Sequence, residues 1–555
     1  MTQNTNSKPI DAHPIALHIG FSGSRQLFPP HLVDEALASV RASVIQQLVE
    51  KFGALRAELS LHSGYFFVGI SQLAVGADSV FSDACAQAGI PLRVFLPQTR
   101  DEYLAGRGSK GADFNAQERL DAEARFEHPN VIQERVVSQA RDRQTRFREC
   151  SFEILRLADV VITLKSDFAA TGRAGGTDDF TEATKRHGKA LFALTLKVNS
   201  NADLQVDCES IIPKKLDLPT LPDTLRRVSL LRNGFTNQVK KQASHVSGAL
   251  KLAFEKHMRV VIWTHVMATA LAAAAVAISY AVKGADGPLA YWLYSAVPWL
   301  LAIEVCALVW GFYTHRHLHH DSTTHRWAES RLIAEIARST QTLGAGTDIV
   351  NKEERIFAGQ HSYLKHVFDL PLPSEFRALT RTLNALHLQA TRPNRTAHWT
   401  GLRDRYVRER FDTTETKNRG QIPYFSAELL LAETAVKRAN RWFYIYASLA
   451  IIATVAKLLL PYFGIQISGI AAVLSWLAIV MPVLAVAVMS ITANLDKDAR
   501  VSTYKVMLGF LIAQRQRVVD AGTEPKFLRL QAETEGKILG EAVNWYFRRR
   551  FINPA

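Results

Sequence analysis

The chain has 555 residues and a formal net charge of +14, and its 48% hydrophobic share is spread very unevenly. That length excludes a single compact domain, and the basic balance points to nucleic acid or to an anionic membrane face. Cys85, Cys150, Cys208 and Cys306 are scattered with no CxxC spacing, which excludes a disulfide framework or a structural zinc site and fits a reducing compartment.

In chain order, residues 1–13 form a polar leader, MTQNTNSKPIDAH. It lacks the basic-then-apolar pattern of a secretory signal, so the first 240 residues are expected in the cytoplasm. Residues 14–196 then alternate short apolar runs with helical periodicity. IALHIGF, AELSLHSGYF, PLRVFLP, ADVVITL and ALFALTL read as strands. HLVDEALASVRASVIQQLVEKF, QLAVGADSVFSDACAQAG and RQTRFRECSFEILRL read as helices. The alternation predicts an α/β, Rossmann-like, doubly wound parallel sheet.

In such a sheet ligands bind beyond the carboxyl ends of the strands. Three loops rich in small and polar residues fall there. GFSGSR supplies Gly20, Ser22, Gly23, Ser24 and Arg25. SQLAVGADSV supplies Leu73, Gly76, Ala77 and Asp78. GRAGGTDDFTE supplies Gly175, Gly176, Thr177, Asp179 and Glu182. Glycines allow close approach to phosphate, helix starts present N–H groups to an anion, and Arg25 adds a fork-shaped donor. These residues are the expected ligand-binding set for a phosphate-bearing molecule.

Residues 197–240 read as a linker. Two membrane hairpins follow, within 241–400 and 401–555. The apolar runs 259–282, 289–313, 441–464 and 468–493 each hold the roughly twenty apolar residues needed to cross a bilayer. The flanks KLAFEKHMR, HRHLHH, AVKRANR and KDAR are basic, which places N-terminus, middle and C-terminus on the cytoplasmic side of the cell inner membrane. Basic flanks on the cytoplasmic side explain the positive balance without nucleic acid, so no nucleic-acid partner is expected.

Glu304 stands near the middle of the second run, either lining a pore or protonated in an interhelical hydrogen bond. HRHLHH places His315 and His319 on one helix face, but no acid or cysteine completes a set, so no metal site is expected. WAESRLIAEIARSTQTL, SAELLLAETAVKRANRWFYIY and VSTYKVMLGFLIAQRQRVVDAG read as helices that pack on each other or on other subunits. The tail NWYFRRRFINPA reads as a lipid-headgroup contact or a solvated end.

The succession HIGFSGSR, LAVGADSVFSDACAQAGIPLRVFLP and LADVVITL followed by GRAGGTDDFTEATKRHGKALFAL resembles the SLOG superfamily. That superfamily joins the LONELY GUY phosphoribohydrolases to the DNA-processing fold and to sensor domains of bacterial immune systems. The membrane half resembles the SLATT group of two-span effector modules, through HRWAESRLIAEIA and the stretch RYVRERFDTTETKNRGQIPYFSAELLLAETAVKRANRWF. The resemblance implies an effector of antiviral defence. Its sensor domain would bind a nucleotide-derived signal, of cyclic-nucleotide or ADP-ribose type, and its membrane part would form an oligomeric pore or disrupt the bilayer. Membrane lipids and further copies of the chain are the implied partners, with no other cofactor.

The phosphoribohydrolase branch carries GGxGTxxE. Gly175 and Gly176 match it and Glu182 falls at the right distance, but Asp178 and Asp179 replace the third glycine and its threonine. Two carboxylates at a helix start repel phosphate, so the loop reads as a binding cradle. The alternative is a membrane-anchored hydrolase of a nucleotide or NAD, with Glu182 as its carboxylate.

Overall fold

The computed structural model describes residues 13–29, 32, 34–105, 114–138, 140–167, 176–198, 204–214, 216–226, 234–283, 287–320, 323–344, 372–390, 399–415, 420–460, 462 and 468–552. Backbone packing divides the chain into two compact units. One gathers Met1–Gln242, Ile333–Leu402 and Ala521–Gly540, and the other Ala243–Leu332, Arg403–Asp520 and Glu541–Ala555.

Buried apolar strands organise the first unit, because runs apolar on both faces need cover on both faces. They are β1 (Ile15–Gly23), β2 (Tyr65–Ser71), β3 (Leu92–Leu96), β5 (Val160–Ser166) and β6 (Ala190–Val198), and the less buried β4 (Val131–Val136) and β7 (Leu204–Ile211) complete the sheet at its edges. Their order is β4-β3-β2-β1-β5-β6-β7, parallel throughout except for β7, which runs antiparallel to β6 at the edge. Helices α1 (Asp34–Glu58), α2 (Ala77–Gln87), α3 (Arg100–Ala105), α4 (Ala116–Phe126), α5 (Arg143–Leu157) and α6 (Thr177–Arg186) connect the strands.

Two cores result. Phe21 stacks on Phe81 at 4.2 Å, with Phe52 edge-on to Phe81, on the face covered by α1 and α2. On the other face Ile70, Phe95, Val161 and Leu191 pack against Cys150, Ile154 and Leu157 of α5 and Phe180 of α6. The order of the strands reverses between β1 and β5, which sets the topological switch point there.

Three expectations need correction. The α1 helix continues to Glu58, so Ala57 and Glu58, which open the expected second strand, are helical, and the strand begins only at Tyr65. Ser60, at φ 52, turns the chain between them. β4 was not expected, since VIQERV mixes charge with apolar residues. β7 lies inside the segment read as linker, as an exposed edge strand with no apolar run to mark it.

The first unit also recruits distant chain. A short helix α7 (Asp223–Arg226) follows the sheet, and the helix α11 (Ser374–Ala390), from the segment between the expected hairpins, packs on β1. Ala16 N donates to Thr382 Oγ1 at 3.0 Å in a buried bond. The first unit takes in parts of α10 (Thr323–Gly344) and α16 (Glu524–Ile552), which meet through Ser339 Oγ donating to Glu535 at 2.8 Å.

The helices of the second unit are long. They include α8 (Phe235–Val282), α9 (Pro288–His320), α13 (Gln421–Leu459), α14 (Ser468–Asn494) and α15 (Lys497–Val519), and the short α12 (Trp399–Tyr406), continued by a π-turn at Val407–Asp412, leads in from the first unit. Four of these stretches are long and apolar enough to span a membrane, and little of the apolar stretch of α9 is buried inside the chain. Exposed Trp292 and Trp310 of α9 stand eighteen residues apart, about 27 Å along a helix, which matches the separation of the two aromatic belts of a bilayer. Pro298 and Pro482 sit within α9 and α14. Asp496, in a left-handed turn at φ 51, separates α14 from α15.

Candidate functional site

The carboxyl ends of β1 and β5 lie side by side, with Ser22 opposite Thr163 and Gly23 opposite Leu164. Around this point the β1 loop, the start of α2 and the start of α6 come together.

The β1 loop is tied down by its backbone. Ser24 N donates to Leu164 O at 2.9 Å, and Ala77 N, the first amide of α2, donates to Ser24 O at 3.0 Å. Ser166 Oγ donates to Gln26 O, holding the end of β5 to the same loop. The glycines make this fit possible. A Cβ at Gly23 would fall 2.2 Å from Ala77 Cβ, and one at Gly76, at φ +88, would fall 2.1 Å from Arg25 O. At Gly20 it would meet Ala158 Cβ at 2.7 Å. At the position of a Cβ these glycines therefore admit the protein's own atoms.

The α2 loop is mostly interior. Leu73 (φ 57) and Ala77 are buried in the core. Asp78 is buried as well, and its Oδ1 accepts from Ser71 Oγ at 2.6 Å and from Gln72 N at 3.3 Å. Burial pushes its carboxyl up to about 6, against the pull of those two donors.

The start of α6 differs. Gly176 is the N-cap residue, extended and without a side-chain cap. Thr177, Asp178 and Asp179 are half-exposed. Asp178 is ion-paired to Lys165 of β5, so one of the two carboxylates that would repel phosphate is neutralised. Glu182 is exposed and lies 3.5 Å from Lys185 on the solvent side of the helix. Gly175 lies outside the described residues.

Of the expected set, then, the structure brings half-exposed Ser22, Gly23, Gly176, Thr177 and Asp179 and exposed Arg25 to one edge. It sends Gly20, Ser24, Leu73, Ala77 and Asp78 inward. Sequence reasoning missed Lys165 and Thr163. Thr163 is fully buried, and its hydroxyl has no hydrogen-bond partner among the described residues. The signal was present in VVITLK, where Thr163 and Lys165 interrupt an apolar run.

A charged group also missed lies at the opposite ends of the same strands. His18 N donates to Asp159 Oδ2 at 2.8 Å, and Arg381 of α11 donates to Asp159 Oδ1 and to Leu157 O at 2.9 Å each. Arg93 Nη1 approaches His18 Nε2 at 3.4 Å. A guanidinium has only donors, so Nε2 accepts and the proton sits on Nδ1, facing Asp159. Burial lowers His18 to about 4 despite that carboxylate. Burial alone would raise Asp159, but Arg381 and His18 outweigh it and hold the carboxyl at about 2.

In the second unit Glu304 is half-buried on α9. It shares a 3-4-3 spacing with Ala307, Gly311 and Thr314, the last of which is buried, as is Ala307. A Cβ at Gly311 would meet Thr264 Oγ1 at 2.5 Å, so this seam packs on α8. Among the described residues no group of three or more histidines, cysteines or acids is placed to hold a metal.

No protein-family model, characterised protein or solved structure matches the chain. The functional reading rests on this geometry and on the sequence motifs.

Proposed function

We propose that the chain is a ligand-gated membrane effector of a bacterial immune system, related to SLOG sensors and SLATT effectors. Its sheet unit binds a nucleotide-derived messenger at the β1–β5 switch point. Binding shifts the equilibrium between closed and open oligomers of the membrane helices in the inner membrane, and Glu304 faces the path that opens.

The observation that carries this reading is the convergence at one switch point of Arg25, the uncapped start of α6 and the neutralised Asp178, in a chain with four membrane-length helices. An uncapped helix start and an exposed arginine at one sheet edge are anion-binding chemistry. Glu182 is exposed and, among the described residues, pairs with the neighbouring Lys185, which supports a cradle over a hydrolase. A catalytic carboxylate is oriented by its surroundings and held within reach of the reacting group.

The test uses the full chain in nanodiscs, because α11 supplies Thr382 and Arg381 to the sheet and residues 14–196 alone lack it. The protein is incubated with nucleotides, NAD derivatives and cyclic dinucleotides, and mass spectrometry records what is bound and what is altered. The expected result is an intact bound ligand that also triggers liposome leakage, with Glu304→Gln changing leakage and sparing binding. Release of free base or ribose phosphate, abolished in Glu182→Gln, would replace the sensor with an enzyme.

A further inference from the structure

At one end of the membrane helices the second unit builds a collar of aromatic rings and arginines. Its centre is Trp327 of α10. Trp545 of α16 packs edge-on to it at 4.7 Å, and Phe254 of α8 lies at 5.7 Å. The Arg549 guanidinium sits 5.5 Å from Phe254, 5.7 Å from Trp327 and 5.8 Å from Trp545, and that of Arg500 lies 5.9 Å from Trp327. All five side chains are buried, Arg500 to 8% and Arg549 to 5% exposure. The tail that sequence leaves as a headgroup contact or a solvated end thus turns Trp545 and Arg549 inward.

The position along the spans is set by chain connectivity. Asp496 and Arg500 directly follow α14, Phe254 lies just before the apolar run that opens at residue 259, and Trp327 follows α9. The collar therefore sits at the level where hydrocarbon gives way to headgroups.

Several cations cluster there, some of them unpaired among the described residues. Arg549 is paired to Asp496, and Arg331 donates to Glu541 at 2.8 Å. The next acids, Glu255 and Glu428, face Arg259 and Lys251. Arg500 and Lys497 are left without a carboxylate in ion-pair contact among the described residues. Burial, with Arg500 beside it, lowers the Lys497 ammonium below its usual range. Moreover, Arg500 Nε, Arg549 Nε and Trp545 Nε1 are buried with no hydrogen-bond partner among the described residues. Buried donors are normally paired, and leaving three unpaired around one ring is costly.

We propose that this collar binds the phosphate of an anionic phospholipid headgroup. A phosphodiester supplies the acceptor oxygens that the three donors lack, in the charge-assisted geometry arginine favours. It also supplies a counter-charge to Arg500 and Lys497, and its acyl chains run beside the apolar spans. Basic pockets between spans at headgroup level are suited to such lipids, and a tryptophan N–H at that level has the same preference.

The experiment compares the full chain in nanodiscs of phosphatidylcholine alone with nanodiscs that also hold phosphatidylglycerol, and with detergent micelles containing inorganic phosphate. Native mass spectrometry counts retained lipid, and thermal unfolding follows stabilisation. Phosphatidylglycerol is expected to be retained and to raise the unfolding midpoint, where phosphatidylcholine does neither. Arg500→Gln should lose retention. Trp545→Phe keeps the ring and removes only the buried N–H, so it should fold as the parent and weaken retention about tenfold, the worth of one such hydrogen bond. If Arg500→Gln fails to fold, Trp545→Phe decides alone. Equal retention in Trp545→Phe and the parent overturns the proposal, as does indifference to phosphatidylglycerol. Stabilisation by inorganic phosphate as large as that by the lipid would make the occupant a free phosphate, and would overturn it too.

Discussion

The starts of α2 and α6 read almost alike in sequence, VGAD and GGTD, and the structure puts them to opposite uses. At α2, Gly76 lets Ser24 and Arg25 press against the helix, and Ser24 O takes the first amide, that of Ala77. The carboxylate of the first turn, Asp78, is buried and serves Ser71 and Gln72. At α6, Gly176 is extended and uncapped, and the carboxylate Asp178 reaches out to Lys165. A glycine before a helix thus has two physical meanings, close packing of the chain on itself or an open cradle. What separates them is a positive φ with backbone atoms already in the space of a Cβ.

The sharpest way to break this comparison is to add a methyl group at each glycine. Gly76→Ala meets both a φ of +88 and the Arg25 carbonyl at 2.1 Å, so it should destabilise the sheet unit by about 3 kcal/mol. Gly176→Ala, at φ −83, should cost no more than about 1 kcal/mol. Hydrogen exchange of the β1 and α2 amides in the full chain reads both. Equal effects would show that the start of α2 is not closed by packing.

A second test uses pH. Asp78 is raised to about 6 from 3.8, so the folded unit binds more protons than the unfolded chain between those values, and stability falls as pH rises through that window. His18 is lowered to about 4 from 6.5, so there the unfolded chain binds more protons, and stability falls as pH drops from 6.5 towards 4. Each shift is worth roughly 3 kcal/mol, at 1.36 kcal/mol per pKa unit, and the two oppose each other. Asp78→Asn keeps an acceptor for Ser71 and Gln72 and removes one side of the balance. The variant should match or exceed the parent at pH 7 and lose stability on acidification to pH 4.5 more steeply. Parallel pH profiles for parent and variant would refute the assignment.

The smallest effect belongs to the Lys165–Asp178 pair. Both side chains are about a third or more exposed, so Lys165→Met should change stability by less than about 1 kcal/mol. It leaves Asp178 uncompensated at the open helix start, however, and should weaken nucleotide binding several-fold in calorimetry. Unchanged affinity would place the phosphate elsewhere.

Much of the architecture was legible without the structure. The α5 helix spans the very stretch RQTRFRECSFEILRL, because its apolar positions recur at helical spacing. The membrane-length helices announced themselves by length. β4 and β7 did not, since an edge strand needs neither an apolar run nor clean alternation. In the site, the glycines marked the correct loops, but which of them faced protein and which faced solvent was not written in their spacing. His18 and Arg93 were visible only as lone polar residues in the apolar strands IALHIGF and PLRVFLP, with no hint of the partners that make them tolerable.

Sequence alone determined the alternation of strand and helix, the four apolar spans and the loops that end at the sheet edge, because periodicity and span length are local properties of the chain. Only the tertiary structure decided that β1 and β5 are neighbours, that Arg381 reaches across from α11 to Asp159, and that Trp327, Arg500, Trp545 and Arg549 share one buried collar. Those relations join residues tens to hundreds of positions apart, and they are set by which surfaces must be buried together and which buried donors must find an acceptor.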